Sequence, residues 1–286
     1  MWGSPSGIEI KRIKNHFSKR DKMKIIREPV FAGIDVGSLT AKAVLVDKGG
    51  ILSHAIIDTG ANPEKAGKTV FDKALGKAGY RREEVRQIVG TGYGRVSLSF
   101  VDKAITELTC HAKGVRYLNR GIMTVIDIGG QDSKVIRLNR DGSMADFAMN
   151  DRCAAGTGRF LEVMARALEV GLEELGRISL RSRKPSLINS MCTVFAESEV
   201  ISLLASGEEK EDVAAGLHLG IAKRVGNLAK RLGIKERVGF VGGVAKNKGL
   251  RDALESFLGI GFAPIVEDPQ ITGALGAAVL ASETHG

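Results

Sequence analysis

Ile34-Asp-Val-Gly-Ser-Leu-Thr-Ala-Lys42 and Ile126-Asp-Ile-Gly-Gly-Gln-Asp-Ser-Lys134 are two copies of one template, set 92 residues apart. At that offset Asp35 aligns with Asp127, Gly37 with Gly129, Lys42 with Lys134 and Gly50 with Gly142. Each copy opens on a β-branched strand, Val30 to Asp35 or Ile122 to Asp127, and then turns at glycine. A second strand runs through Val44 or Ile136, another Gly turn follows, and a third strand closes the unit. The duplication predicts an α/β chain of two lobes whose Gly turns face each other and clasp a nucleotide.

A strand ending in Asp-x-Gly sets a carboxylate at its tip and leaves backbone N–H groups free to point at phosphate oxygens, because glycine permits a close approach. Asp35 and Asp127 are therefore expected to hold Mg²⁺ through waters, since magnesium dehydrates reluctantly. Gly37, Ser38, Gly129, Gly130 and Gln131 fill the turns as phosphate contacts, and Gln131 is expected to orient the attacking water in a site without a strong base. Lys42 and Lys134 lie seven residues beyond their aspartates. Along one extended strand that separation changes face, so Lys42 alone is expected to reach phosphate, a solvated strand lysine being the plain alternative.

A third Gly turn, Val241-Gly-Gly-Val-Ala-Lys-Asn247, follows a strand over Val238 to Val241 and opens a helix through Leu250 to Leu258. Gly242 and Gly243 would let an adenine ring lie against the backbone, with Asn247 near the sugar or base. The runs Gly90-Thr-Gly-Tyr-Gly94 and Ala155-Gly-Thr-Gly158 are weaker signals. Neither has the spacing and downstream acid of a dinucleotide fingerprint, and the sequence holds no G-x-x-x-x-G-K-[ST] phosphate loop.

The 286 residues suffice for two domains of ordinary size, and no apolar run approaches the roughly 20 residues needed to span a bilayer. The net charge of +9 is uneven, because residues 1 to 29 carry eight basic and three acidic side chains, a local excess of +5. With little aromatic interleaving and no long apolar face, residues 1 to 30 read as a disordered extension, or an upstream start before Met23, rather than a nucleic-acid arm or surface helix. The expected chain is cytoplasmic, without a secretory signal and without nucleic-acid or membrane partners.

Three cysteines make no disulfide framework and imply buried thiols or metal ligands. Cys153 and Cys192 each precede an apolar-patterned helix, where free N–H groups and the helix dipole favour a thiolate. Two thiolates cannot close a four-iron cluster, which takes four, but a two-fold dimer would supply the others. Cys110-His111 reads as core packing on a helix from Val96 to Leu118, and His218 as a polar residue of a helix from Glu209 to Leu232. Arg159, Glu162, Glu197 and Glu199 read as solvated helix residues or a partner-facing surface.

Asn150-Asp-Arg-Cys-Ala-Ala-Gly-Thr-Gly-Arg-Phe-Leu-Glu162 and Cys192-Thr-Val-Phe-Ala-Glu-Ser-Glu-Val-Ile-Ser202 closely resemble the ATP-dependent activators of 2-hydroxyacyl-CoA dehydratases. These belong to the BadF/BadG/BcrA/BcrD group, which includes the ATPase subunits of benzoyl-CoA reductase. The resemblance extends from about Phe31 to Gly273-Ala-Leu-Gly-Ala-Ala278, through Thr91-Gly-Tyr-Gly-Arg95 and Ile126-Asp-Ile-Gly-Gly-Gln-Asp132. It implies a two-lobed actin-like ATPase fold (ASKHA, ribonuclease H-like) with a duplicated βββαβα core. Lobe I would cover residues 31–121 plus 271–286, and lobe II residues 122–270.

It further implies a homodimer with one [4Fe–4S] cluster on the two-fold axis, held by Cys153 and Cys192 of each chain. A ferredoxin or flavodoxin would reduce it, and with ATP turned over to ADP one electron would pass to the dehydratase. Two alternatives stay open: an ATPase subunit of a benzoyl-CoA reductase-type enzyme, against which the full Gly-Gly-Gln-Asp turn speaks, and a small-molecule kinase using Asp151 as base.

Overall fold

The first template copy folds as β1 (Val30–Val36), β2 (Thr40–Asp47) and β3 (Gly50–Asp58), followed by α1 (Pro63–Ala78), β4 (Val85–Thr91), the short β5 (Lys103–Ala104) and α2 (Glu107–Leu118). The second folds as β6 (Thr124–Ile128), β7 (Ser133–Leu138) and β8 (Met144–Asn150). Four helices come next, α3 (Gly158–Ala167), α4 (Leu172–Ser179), α5 (Thr193–Ala205) and α6 (Lys210–Leu232), then β9 (Val238–Val241), α7 (Lys248–Leu258) and α8 (Thr272–Glu283). The computed structural model describes residues 28 to 284 apart from residue 191, so nearly all of the predicted N-terminal extension lies outside the described residues. No helix among the described residues is long and apolar enough to cross a membrane.

The described strands form two sheets, in the orders β3-β2-β1-β4-β5 and β8-β7-β6-β9. In each, the strand that ends in the template aspartate pairs antiparallel with the next strand and parallel with one that returns after helices: β1 with β2 and β4, β6 with β7 and β9. Every residue of β1 is buried, as befits a central strand covered on both faces. Val70, Phe71 and Ala74 of α1 cover one face with Ile34 and Leu45. Ala274, Ala277 and Ala278 of α8 cover the other with Val44 and Val89. The second sheet packs Ile126 and Ile128 under α3, α6 and α7 and turns Val125 and Ile136 toward α2.

Helix α2 serves both lobes, because Cys110 joins the α8 cluster while Ala112 and Val115 join the cluster beneath the second sheet. It starts at Glu107 rather than near Val96: residues Tyr93–Ser97 form a separate 3-10 turn, and Thr106 caps α2 by accepting the Thr109 N–H. The crossing of α2 and α8 is as close as backbones allow. A side-chain carbon at Gly276 would lie 1.7 Å from Cys110 O, one at Gly114 2.0 Å from Thr272 O, and one at Gly33 of β1 1.9 Å from Ala274 O.

Gly276→Ala should therefore overpack the crossing and lower stability by about 1–3 kcal/mol or more. The check is urea unfolding beside Gly76→Ala, a helical glycine of α1 with open space around it, which should be neutral or stabilising. Equal midpoints for the two variants would show that α2 and α8 separate freely.

Candidate functional site

The tips of β1 and β6 meet at the floor of a cleft of about 530 Å³ between the two sheets. Each tip turns in the same way, Gly37 N–H donating to Thr40 O and Gly129 N–H to Asp132 O, both at 3.0 Å. The turns touch: a side-chain carbon at Gly130 would sit 2.6 Å from Leu39 Cγ, so the missing side chain lets Leu39 fit. All eleven residues expected in the nucleotide site, Asp35, Gly37, Ser38, Lys42, Asp127, Gly129, Gly130, Gln131, Gly242, Gly243 and Asn247, border this cleft.

The expected face change between aspartate and lysine is not what the chain does. A hairpin turn intervenes, making Asp35 the register partner of Lys42 and Asp127 that of Lys134, and directly opposed residues share a face. Lys42 Nζ lies 3.2 Å from Asp35 Oδ2. Lys134 Nζ lies 2.7 Å from Asp132, 3.5 Å from Asp127 and 3.4 Å from Glu107. Burial pulls the Lys134 ammonium down, but Asp127, Asp132 and Glu107 outweigh it and hold it above the ordinary lysine range. Burial likewise pushes the Asp127 carboxyl up, and His111, Lys134 and Lys42 bring it below its ordinary value. Both groups are charged at neutral pH.

The wall opposite the hairpins is built twice. After β4, Gly92 takes φ 86°, and a side-chain carbon there would lie 2.3 Å from Asp35 Oδ1; after β9, Gly242 takes φ 87°, and its carbon would lie 2.5 Å from Asp127 Oδ1. Each glycine leads into a 3-10 turn, Tyr93–Ser97 or Gly243–Lys246. The two glycines are 150 residues apart rather than 92, because the helices α3 to α6 lengthen the second copy, and sequence alignment at one offset misses the match.

Asn247 is held from both sides. Its Oδ1 accepts the Leu250 N–H as the N-cap of α7, and its Nδ2 donates to His218 Nε2 at 3.2 Å. The His218 ring consequently donates from Nδ1 to Ser179 Oγ at 2.9 Å, and that hydroxyl donates to Gly176 O at 3.1 Å. His218 is thus a buried, neutral member of a chain of hydrogen bonds rather than a solvated polar residue, and burial lowers its pKa to about 4. Sequence reading also missed Glu107 and His111, which both border the cleft. One signal was available, since positions four apart on a helix share a face. Cys110 alone is core, its thiol pushed up to about 12 chiefly by burial.

Cys153 and Cys192 lie away from the cleft floor, half-buried and exposed respectively. Cys192 is the N-cap of α5, whereas Cys153 stands in a turn ahead of Thr157, the N-cap of α3, so the helix-terminus argument applies to Cys192 only. Asn150 Nδ2 donates to Cys153 O at 2.9 Å and fixes that turn. Glu199 accepts the N–H groups of Asn189 and Ser190 at 2.9 and 2.7 Å, so it braces the segment leading to Cys192 instead of being solvated. Arg159 pairs with Glu162 at 2.9 Å.

The sequence matches the BadF/BadG/BcrA/BcrD ATPase family over residues 32–281. The chain belongs to this family. It is 47% identical over 251 residues to the 2-hydroxyisocaproyl-CoA dehydratase activator of Clostridioides difficile, covering 87% of this chain and 93% of that one. To the (R)-2-hydroxyglutaryl-CoA dehydratase activating ATPase of Acidaminococcus fermentans it is 45% identical over 253 residues, 87% and 95% of the two chains. A solved structure of the Clostridium difficile activator with bound ADPNP superposes with a TM-score of 0.85 at 46% identity, covering 89% of this chain and 95% of that one. The two-lobed actin-like ATPase architecture and ATPase activity follow from family and fold together.

A folded-state pKa of about 4 for His218, below the usual 6.5, means the fold prefers the neutral ring. That stability is whole above pH 6.5 and is lost as pH falls toward 4, amounting to about 2 kcal/mol between pH 7 and pH 5. Urea unfolding at both pH values should show this loss in the wild type and not in His218→Gln, which starts less stable at pH 7.

Proposed function

We propose that this ATPase is a one-electron donor that activates a 2-hydroxyacyl-CoA dehydratase, coupling ATP binding and hydrolysis to the delivery of a low-potential electron from a [4Fe–4S] cluster shared by a homodimer. One observation carries the reading. The first residues of α3 are bonded to the second Gly turn, Gly158 N–H to Gly129 O at 2.9 Å and Arg159 N–H to Gly130 O at 2.8 Å, and Cys153 lies just ahead of them. A nucleotide that moves the turn moves the helix and the thiol with it. Helix α3 also packs against α5, whose N-cap is Cys192.

In this proposal Asp35 and Asp127 hold Mg²⁺ through waters, the N–H groups of the Gly37–Ser38 and Gly129–Gly130 turns receive the phosphates, and Gln131 orients the water that attacks the terminal phosphate. Gly242, Gly243 and Asn247 take the adenosine. The donor set for the cluster fits a shared site: each chain offers two accessible thiols of the soft kind that iron–sulfur clusters take, half of the usual four. Among the described residues no single-chain group of three or more His, Cys, Asp or Glu is arranged for a metal, in keeping with a site completed by a second copy. Helix α5 also leaves Val194, Phe195 and Ile201 exposed by 67, 67 and 55%, an apolar surface suited to pairing beside Cys192.

The cluster, when bound, supplies a one-electron couple. One electron enters from a ferredoxin or flavodoxin and one leaves to the dehydratase, as ATP and water become ADP and phosphate. The resemblance to free-standing activators across nearly their whole length favours this role over that of a benzoyl-CoA reductase subunit. The cytoplasm is the compartment in which such free thiols persist.

Iron and acid-labile sulfide measured on protein purified without oxygen should give about four of each per dimer, and Cys153→Ser and Cys192→Ser should each abolish them. An iron-free anaerobic wild type that still turns over ATP would refute the electron-transfer reading. Gln131→Ala should separately slow ATP hydrolysis while retaining nucleotide, and an unchanged turnover would remove its role.

A further inference from the structure

His111 lies in the second turn of α2, is only 7% exposed, and yet borders the cleft. Its Nδ1 is 3.0 Å from Thr272 Oγ1, in the first residue of α8. That hydroxyl donates to Pro269 O at 3.3 Å, so it accepts from the ring and Nδ1 carries a proton. Nε2 is left facing the cleft. It stands 3.6 Å from Asp127 Oδ2, beyond the roughly 2.7–3.2 Å of a direct hydrogen bond. On the other side, a side-chain carbon at Gly273 would lie 2.9 Å from Asp35 Oδ2 and 3.2 Å from His111 Nε2, so those two atoms are within about 6 Å of each other. Both gaps suit a bridging water.

We propose that His111 is a positioning residue for ATP hydrolysis: its Nε2 orders a water between Asp35 and Asp127, and through it keeps the carboxylates of the two lobes in one mutual geometry. The inference rests on the reading that these aspartates face the metal-bearing phosphates. Each aspartate has a lysine of its own hairpin, Lys42 or Lys134, and neither lysine belongs to the elements that join the lobes. His111 differs in origin. It rides on α2 and is tied to α8, so its ring is registered to the crossing shared by both lobes rather than to either hairpin. Gly273 makes the arrangement possible, since any side chain there would part Asp35 from the ring.

The test is steady-state ATP hydrolysis together with binding of a fluorescent ADP analogue, on the full chain and on His111→Leu, His111→Gln and Thr272→Val. Removing the ring should lower kcat about ten- to a hundredfold, the range typical of groups that orient metal ligands, with ADP affinity and KM for ATP changed about twofold or less. His111→Gln keeps a polar atom directed at the cleft and should recover most of the loss. Thr272→Val keeps the shape, frees the ring, and should lower kcat severalfold with nucleotide affinity intact, which preserves the test if His111→Leu does not fold. Wild-type kcat in a folded His111→Leu would overturn the proposal, and so would a parallel fall of kcat and ADP affinity in the Leu and Gln variants alike, the mark of a packing role. Asp127→Asn tests the underlying reading by itself: wild-type turnover there would dismiss the metal-facing floor before His111 came into question.

Discussion

Backbone contact between α2 and α8 is the constraint on which the rest of this molecule depends. Gly114 and Gly276 let the two helices meet with no side chain between them, and Gly33 lets α8 lie directly on the central strand of the first sheet. Cys110 and Val115 of α2 then reach different cores, one in each lobe. Interiors are packed densely enough that a gap of one carbon is felt, so this crossing fixes the lobes relative to each other at their base while leaving the cleft open above. The same crossing brings Asp35, His111 and Gly273 together, because all three lie within one turn of it.

The charges on the floor serve a different end from the packing beneath them. Lys134 is almost fully buried among Asp127, Asp132 and Glu107, and removing any of these from water costs several kcal/mol that pairing only partly offsets. Such a cluster is a weak source of stability. Its worth lies in presenting oriented carboxylates and ammonium groups in fixed positions before a phosphate and its cation arrive. Lys42 also lowers the Asp127 pKa from the opposite hairpin, so the electrostatics of the two lobes are already joined across the cleft. At the mouth, Lys246 donates to Gln270 at 2.9 Å and Gln270 to Thr40 at 3.4 Å, a second polar link between them.

Much of the site was legible because it was written twice. The repeat of Asp35 to Lys42 as Asp127 to Lys134 located both hairpins, and the residues chosen from it converge on one cleft. The paired glycines Gly92 and Gly242 were not legible as a pair, since the helices between β8 and β9 displaced the second copy's return strand. Lysine facing was misread because a period-two count presumes a continuous strand, and the turn resets it. Likewise Cys110-His111 looked like one feature in sequence, but neighbours on a helix point about 100° apart, and one entered a core while the other entered the cleft.

By itself the sequence determined the two hairpins, the third Gly turn and the two cysteine segments, because each depends on local backbone chemistry: a carboxylate at a strand tip, a glycine where a side chain would collide, an apolar periodicity behind a thiol. Only the tertiary structure decided which groups from distant segments share the floor. His111 meets Thr272 across 161 residues and Asn247 meets His218 across 29, through helix crossings whose geometry is set by the absence of side chains at particular points. Residue spacing carries no record of such contacts, since packing between elements depends on shapes that exist only once the helices have met.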